Sequence, residues 1–159
     1  MVQTDDEVFQ ERRVGFERFA GDAGERLRRA LVAGYGIEIG NDACDEALAY
    51  AWEHWERVGA LANPVGYLYR VGQSATRRHR RWRRRAPFPG GHSTNAEPLD
   101  PQLSAALGRL TQPQRTCVVL VHIYDWSYQH TADALNLSVA SVRNHLHRGL
   151  AALRNHLEV

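Results

Sequence analysis

At 159 residues, 43% of them apolar, the chain has material for one ordinary domain or for two very small ones. No run approaches the ~20 apolar residues of a membrane span, so membrane insertion is not expected. The acidic start MVQTDDEVFQ lacks the apolar segment of a secretory signal, and the expected location is the cytoplasm. The net charge of +2 conceals a strong segregation. Residues 1–56 carry 13 acids against six arginines, residues 57–85 carry nine arginines and no acid, and residues 86–159 carry five of each. Every one of these basic residues is arginine, the side chain better suited to bidentate phosphate contacts.

The elements are expected to be helical nearly throughout, because no sustained period-two alternation marks a half-buried strand. Phe16, Phe19, Ala23, Leu27, Ala30 and Leu31 fall on one face of a first helix. Gly34, Gly36 and Gly40 are expected to interrupt it, with a second helix starting near Asn41 or Asp42. That helix carries Cys44, Leu48, Ala51, Trp52 and Trp55 on one stripe, with Asp45, Glu46, Ala49 and Glu53 mostly on the other side. Asn63-Pro64 is a helix start, an N-cap followed by proline at the first position. Leu68, Val71, Ala75 and Trp82 keep the phase that follows. From Arg77 to Arg85 the sequence reads RRHRRWRRR; charge surrounds the helix there, and like charges so dense call for an anionic partner.

Residues 86–101, with four prolines and two glycines, read as a linker. Beyond it Leu103, Leu107 and Leu110 mark a short amphipathic helix. Thr111 to Gln114 has capping-box spacing, and Cys117, Leu120, Val121 and Tyr124 follow on the next helix. Ser127 and Ser138 stand as N-caps around the turn at Asn136, and Val142, Leu146, Leu150, Leu153 and Leu157 stripe the last helix.

Residues 127–148 therefore have the helix-turn-helix arrangement, whose second helix enters the DNA major groove. The face opposite its apolar stripe offers Ala140, Ser141, Arg143, Asn144, His147 and Arg148, groups able to reach base edges or phosphates. The arginine run, with Arg77, Arg78 and Arg81, extends a helix that also carries Tyr67, Tyr69 and Trp82. Such aromatics can stack on bases, although Tyr69 and Trp82 equally suit a core. Cys44 and Cys117 read as reduced core thiols. No ligand cluster has metal-binding spacing, so neither a metal nor another cofactor is expected. Hydrolysis of nucleic acid would need convergent carboxylates or a nucleophile paired with a base; neither is visible, and no enzyme activity is expected.

Residues 125–154, DWSYQHTADALNLSVASVRNHLHRGLAALR, resemble the promoter-binding helix-turn-helix, region 4, of the extracytoplasmic-function sigma factors of the sigma-70 family. The segments DACDEALAYAWEHW and NPVGYLYRVGQSATRRHRR resemble region 2 of the same family, with Asp45 and Trp55 at its Asp-to-Trp spacing and Pro64, Leu68, Tyr69 and Arg70 fitting its proline-plus-LYR helix. The resemblance implies an all-α chain of two small helical domains, residues 9–85 and 102–159, joined through 86–101. It implies that Asp45, Glu46, Ala49 and Glu53 dock on core RNA polymerase. It further implies that Tyr67, Arg70, Gln73, Ser74, Arg77, Arg78 and Arg81 meet a minus-ten promoter element, where strands open and a base is flipped out. The last helix would read a minus-thirty-five element, and whether an anti-sigma factor is a further partner stays open. The chain departs from the pattern at Gln73-Ser74, where members often have Arg-Asn, and at Leu48-Ala49, where many have Gln-Glu. Asn136 replaces a usual glycine, and Trp126 and Thr131 replace aliphatics. A conventional helix-turn-helix regulator is the alternative, but it gives no reason for the arginine run.

Overall fold

The computed structural model describes residues 4–83 and 100–157, with side chains described to His79 in the first stretch. Among these residues all regular structure is helical. The elements are α1 (Asp5–Tyr35), α2 (Ile37–Glu53), the short α3 (Trp55–Val58) and α4 (Pro64–Arg83), then α5 (Pro101–Arg109), α6 (Gln112–Val118), a π-helical turn (Val119–Ile123), α7 (Tyr128–Leu135) and α8 (Val139–Leu157).

The apolar stripe of α1 is buried at Ala23, Leu27, Ala30 and Leu31, against Ala43, Cys44, Ala47 and Ala51 of α2 and Leu68 and Ala75 of α4. Toward its N-terminus α1 changes partner. Phe16 meets Trp52 and Trp55 edge-on at 5.3 and 5.6 Å between ring centres, and Phe19 lies 5.2 Å from Trp55. Such pairs add about 0.5–1.5 kcal/mol beyond their buried area. Arg12 lies over the Trp52 ring and donates to the carbonyls of Trp52 and Glu53, satisfying acceptors that the end of α2 leaves open.

The expected start of α2 near Asn41 is displaced. Gly36 alone makes the reversal, with φ 84° and ψ 169°, a backbone region open essentially to glycine, and α2 begins at the next residue. Gly34 and Gly40 lie inside helices and serve packing, not the turn. Asn41 is an acceptor on the surface of α2, taking a bond from Arg28 at 2.9 Å.

The other local signals act as expected. The Gly66 N–H donates to Asn63 Oδ1 at 3.0 Å, the Thr111 N–H to Gln114 Oε1 at 3.2 Å, the His130 N–H to Ser127 Oγ at 3.1 Å, and the Ser141 N–H to Ser138 Oγ at 3.1 Å. Each cap removes one unsatisfied donor, worth about 1 kcal/mol. Asn136 takes φ 55° and ψ 46°, the left-handed turn between α7 and α8. Thr131 is buried and donates to the Ser127 carbonyl, while Trp126 is buried and stacks on His130 at 4.5 Å.

Cys44 and Cys117 are free and fully buried. Burial pushes both thiols up to about 11. An unfolded thiol ionises near pH 8.5, so between about pH 9 and 11 the unfolded chain loses protons that the folded chain keeps. Stability contributed by the neutral thiols is therefore complete below pH 8 and falls as pH rises through this window. Tyr69, pushed up by burial beyond the usual phenol range, acts in the same direction at higher pH. We expect both thiols to resist iodoacetamide at pH 8 and to react after addition of denaturant, with a melting temperature lower at pH 10.5 than at pH 8. Rapid alkylation of the folded chain would contradict the burial.

Candidate nucleic-acid interface and docking face

The helix-turn-helix is built by α7, the left-handed Asn136 and α8. Val142, Leu146 and Leu153 are buried on one side of α8. Arg143, Asn144, His147 and Arg148 are exposed on the other, and Ser141 is half-buried. Two of these groups are already engaged: the Ser141 hydroxyl accepts from Ser138 at 2.9 Å, and the Arg143 guanidinium lies 5.9 Å from the Tyr128 ring centre. Asn144 and Arg148 project one turn apart into solvent.

On α4 the expected residues divide. Arg70, Ser74, Arg77 and Arg78 are exposed. Arg70 reaches the Asn136 carbonyl at 3.4 Å, and the Ser74 hydroxyl donates to the Arg70 carbonyl at 3.2 Å. Gln73 points the other way, its amide donating to Tyr35 Oη at 3.1 Å and lying 3.5 Å from Tyr69 Oη. Tyr69 is 3% exposed and is a core residue, as one of its two sequence readings had it. Tyr67 is half-buried and shares a hydrogen bond with Tyr50 (3.1 Å); Arg57 lies against both rings, 5.9 and 5.7 Å from their centres. Tyr50 and Arg57 were not singled out from sequence, because helical phase gives no sign that a residue of α2 and one of α3 meet Tyr67. The side chains of Arg81 and Trp82 lie outside the described residues, as do residues 84–99.

The acids of α2 are less free than their spacing implies. Asp45 pairs with Arg28 at 3.1 Å and Glu46 with Arg78 at 2.8 Å and His79 at 3.0 Å. Ala49 and Glu53 are exposed beyond them. Arg28 and Arg78 stand 17 and 32 residues from their partners, too far for any local pattern to reveal. These are surface pairs, each worth about 0–1 kcal/mol, so they orient the acids without committing them. Among the described residues no group of His, Cys, Asp and Glu could hold a metal ion, and no helix is long and apolar enough to cross a membrane.

Residues 101–153 match the family model described as Sigma-70, region 4. The chain is 32% identical over 125 residues to an RNA polymerase sigma-E factor of Streptomyces antibioticus, covering 74% of this chain and 69% of that protein. It is 41% identical over 58 residues to the ECF RNA polymerase sigma factor SigX of Bacillus subtilis; that match spans 36% of this chain and only 30% of SigX. Its fold is similar to that of the sigma factor RpoE of Bartonella quintana, solved with the anti-sigma factor NepR, at a TM-score of 0.64 and 19% identity over 91% of this chain and 97% of that one. Together these matches define the class of the chain as an RNA polymerase sigma factor. The chain belongs to the extracytoplasmic-function sigma factors of the sigma-70 family, proteins that direct RNA polymerase to promoters.

Proposed function

We propose that the chain divides this work between its two halves, residues 9–85 and 102–159, with 86–101 as the connection. The observation that carries the reading is the exposed face of α8, where Arg143, Asn144, His147 and Arg148 stand together opposite the buried Val142, Leu146 and Leu153. This face reads the upstream, minus-thirty-five element in the major groove. Arg70, Ser74, Arg77, Arg78 and Arg81, with Tyr67 held between Tyr50 and Arg57, meet the minus-ten strand. Gln73 supports that helix from behind through Tyr35 and Tyr69 and contacts DNA only if α4 shifts. Asp45, Glu46, Ala49 and Glu53 form the docking face for core polymerase. The chain acts in the cytoplasm, supplies no catalytic group of its own, and is open to an anti-sigma partner, as the RpoE relative in complex with NepR illustrates.

The neutral second half and the acidic first helices favour a protein partner over bare duplex, since non-specific affinity for DNA comes from cationic charge. Specific promoter binding should therefore depend on core polymerase. Gel shifts on promoter fragments with and without core enzyme, followed by run-off transcription, measure this. Tight sequence-specific binding by the chain alone, with no transcription on adding core enzyme, would favour the regulator instead.

A further inference from the structure

Helices α2 and α4 approach closely because small residues line their contact. Ala43 and Ala47 of α2 and Ala75 of α4 are buried, and a Cβ added to Gly72 would lie 3.4 Å from the Ala43 carbonyl oxygen. Polar side chains beside this line are therefore within reach of one another. On α2 that residue is Glu46; on α4 it is His79, about one turn beyond Ala75 and Thr76, with Arg78 beside it. Glu46 divides its carboxylate between the two: Oε2 accepts from Arg78 Nη2 at 2.8 Å, and Oε1 lies 3.0 Å from His79 Nε2. Its neighbours on each helix are engaged differently. Asp45 turns away to Arg28 of α1, and Arg77 pairs with no acid among the described residues.

Glu46 therefore stands between two surfaces of different charge. Asp45, Ala49 and Glu53 are exposed on the α2 side, and Arg70, Ser74 and Arg77 on the α4 side. The Glu46 and Arg78 side chains remain 41% and 76% exposed, so a competing charge can reach either of them without disturbing the buried contact. An exposed pair of this kind is easily exchanged, and contributes a factor of about two to five to an equilibrium that it biases.

We propose that Glu46 is a shared carboxylate that couples the two surfaces. A basic side chain of core polymerase on the α2 face competes for it with Arg78 and His79. Docking thus releases Arg78 to a phosphate of the minus-ten strand, and a phosphate on Arg78 releases Glu46 to the polymerase. Linkage makes the two effects equal: whatever factor the strand adds to polymerase affinity, polymerase adds to strand affinity. The coupling passes within the first bundle, over one carboxylate, and requires no movement of a helix. It rests on the docking and minus-ten assignments above, and goes beyond them in making one residue serve both.

The test uses the full chain, core polymerase and a short labelled single-stranded DNA taken from the minus-ten region of a promoter that the chain transcribes. Without polymerase, Glu46→Gln should bind the strand about two- to fivefold more tightly than the wild type, since Arg78 and His79 are released. The same variant should bind core polymerase less tightly, and Arg78→Gln should do the reverse on both counts. In either variant the factor by which the strand tightens polymerase binding should fall about two- to fivefold below the wild-type factor. Two neighbours control for bulk charge: Asp45→Asn and Arg77→Gln remove the same charges one residue away and should leave that factor unchanged. A factor equal in the wild type and Glu46→Gln, or lowered as much by the two controls, would overturn the shared carboxylate while leaving both surfaces assigned. Core affinity unmoved by Asp45→Asn and Glu53→Gln together, or strand affinity unmoved by Arg70→Gln and Arg77→Gln together, would instead remove the surface concerned, and the coupling with it.

Discussion

Gly40→Ala is expected to destabilise the chain by roughly 1–3 kcal/mol, the range of core overpacking. The cause is the one-residue turn between α1 and α2. Val32 stands one helical turn before Gly36 and Gly40 one turn after it, so the two backbones are pressed together where the helices diverge. A Cβ on Gly40 would lie 2.5 Å from Val32 Cα, 2.6 Å from Val32 N and 2.8 Å from the Leu31 carbonyl carbon. These are backbone atoms and have no rotamer to yield; relief requires α1 and α2 to part along the contact that buries Leu31 and Ala43. The higher helix propensity of alanine returns about 1 kcal/mol and does not cover the loss. Gly21→Ala is the control: nothing lies within 4 Å of the added methyl, so the propensity gain stands alone. Thermal melts should show Gly40→Ala several degrees below the wild type and Gly21→Ala slightly above it. Equal melting temperatures for the two variants would show that the α1–α2 approach is not as close as described.

The second large effect is on sequence choice. Arg148→Ala and Asn144→Ala should each change the preferred upstream promoter sequence. Arginine can bond two acceptors of guanine and asparagine a donor–acceptor pair of adenine, each worth ~1–3 kcal/mol against a wrong base, or roughly 5- to 150-fold. Both side chains are exposed, so removing them should cost within about 0.5 kcal/mol of stability, and a change in transcription would not be a folding effect. Ser141 and Arg143, partly engaged by Ser138 and Tyr128, should have smaller effects. Transcription from promoters with a randomised upstream element reads the outcome. A uniform loss over all sequences would assign Arg148 to phosphate, and an unchanged preference in both variants would remove base reading from this face.

What could be read from sequence and what could not divides by distance along the chain. The caps at Asn63, Ser127 and Ser138 and the left-handed Asn136 act within three or four residues, and residue type alone identifies them. The stripes of α1, α4 and α8 follow from helical periodicity in the same way. Gly40 was misread because a glycine that turns the chain and a glycine that lets two helices touch look alike until the partner helix is known. The pairing of Glu46 with Arg78 and the attention of Arg115 to Gly34 cross 32 and 81 residues, and no spacing rule reaches so far. The exposed face of α8 needed only the opposite stripe. The setting of Tyr67 between Tyr50 and Arg57 needed the assembled bundle.

The π-helical turn at 119–123 makes chain length a structural variable in its own right. Tyr124 N–H reaches back five residues to the Val119 carbonyl, and Trp126 N–H six residues to that of Leu120, so this turn holds one residue more than an α-helical ladder would. Each residue advances a helix by about 100°. Deleting any one residue from 119–123 would let the turn tighten into regular α-helix without loss of hydrogen bonds, yet everything beyond would arrive rotated. Trp126 would leave the core that it closes beneath α7, and Tyr124 would leave Arg29. The same sequence shortened by one letter would keep its helices and lose the angle at which the reading head is mounted. For this segment the count of residues matters along with their kind.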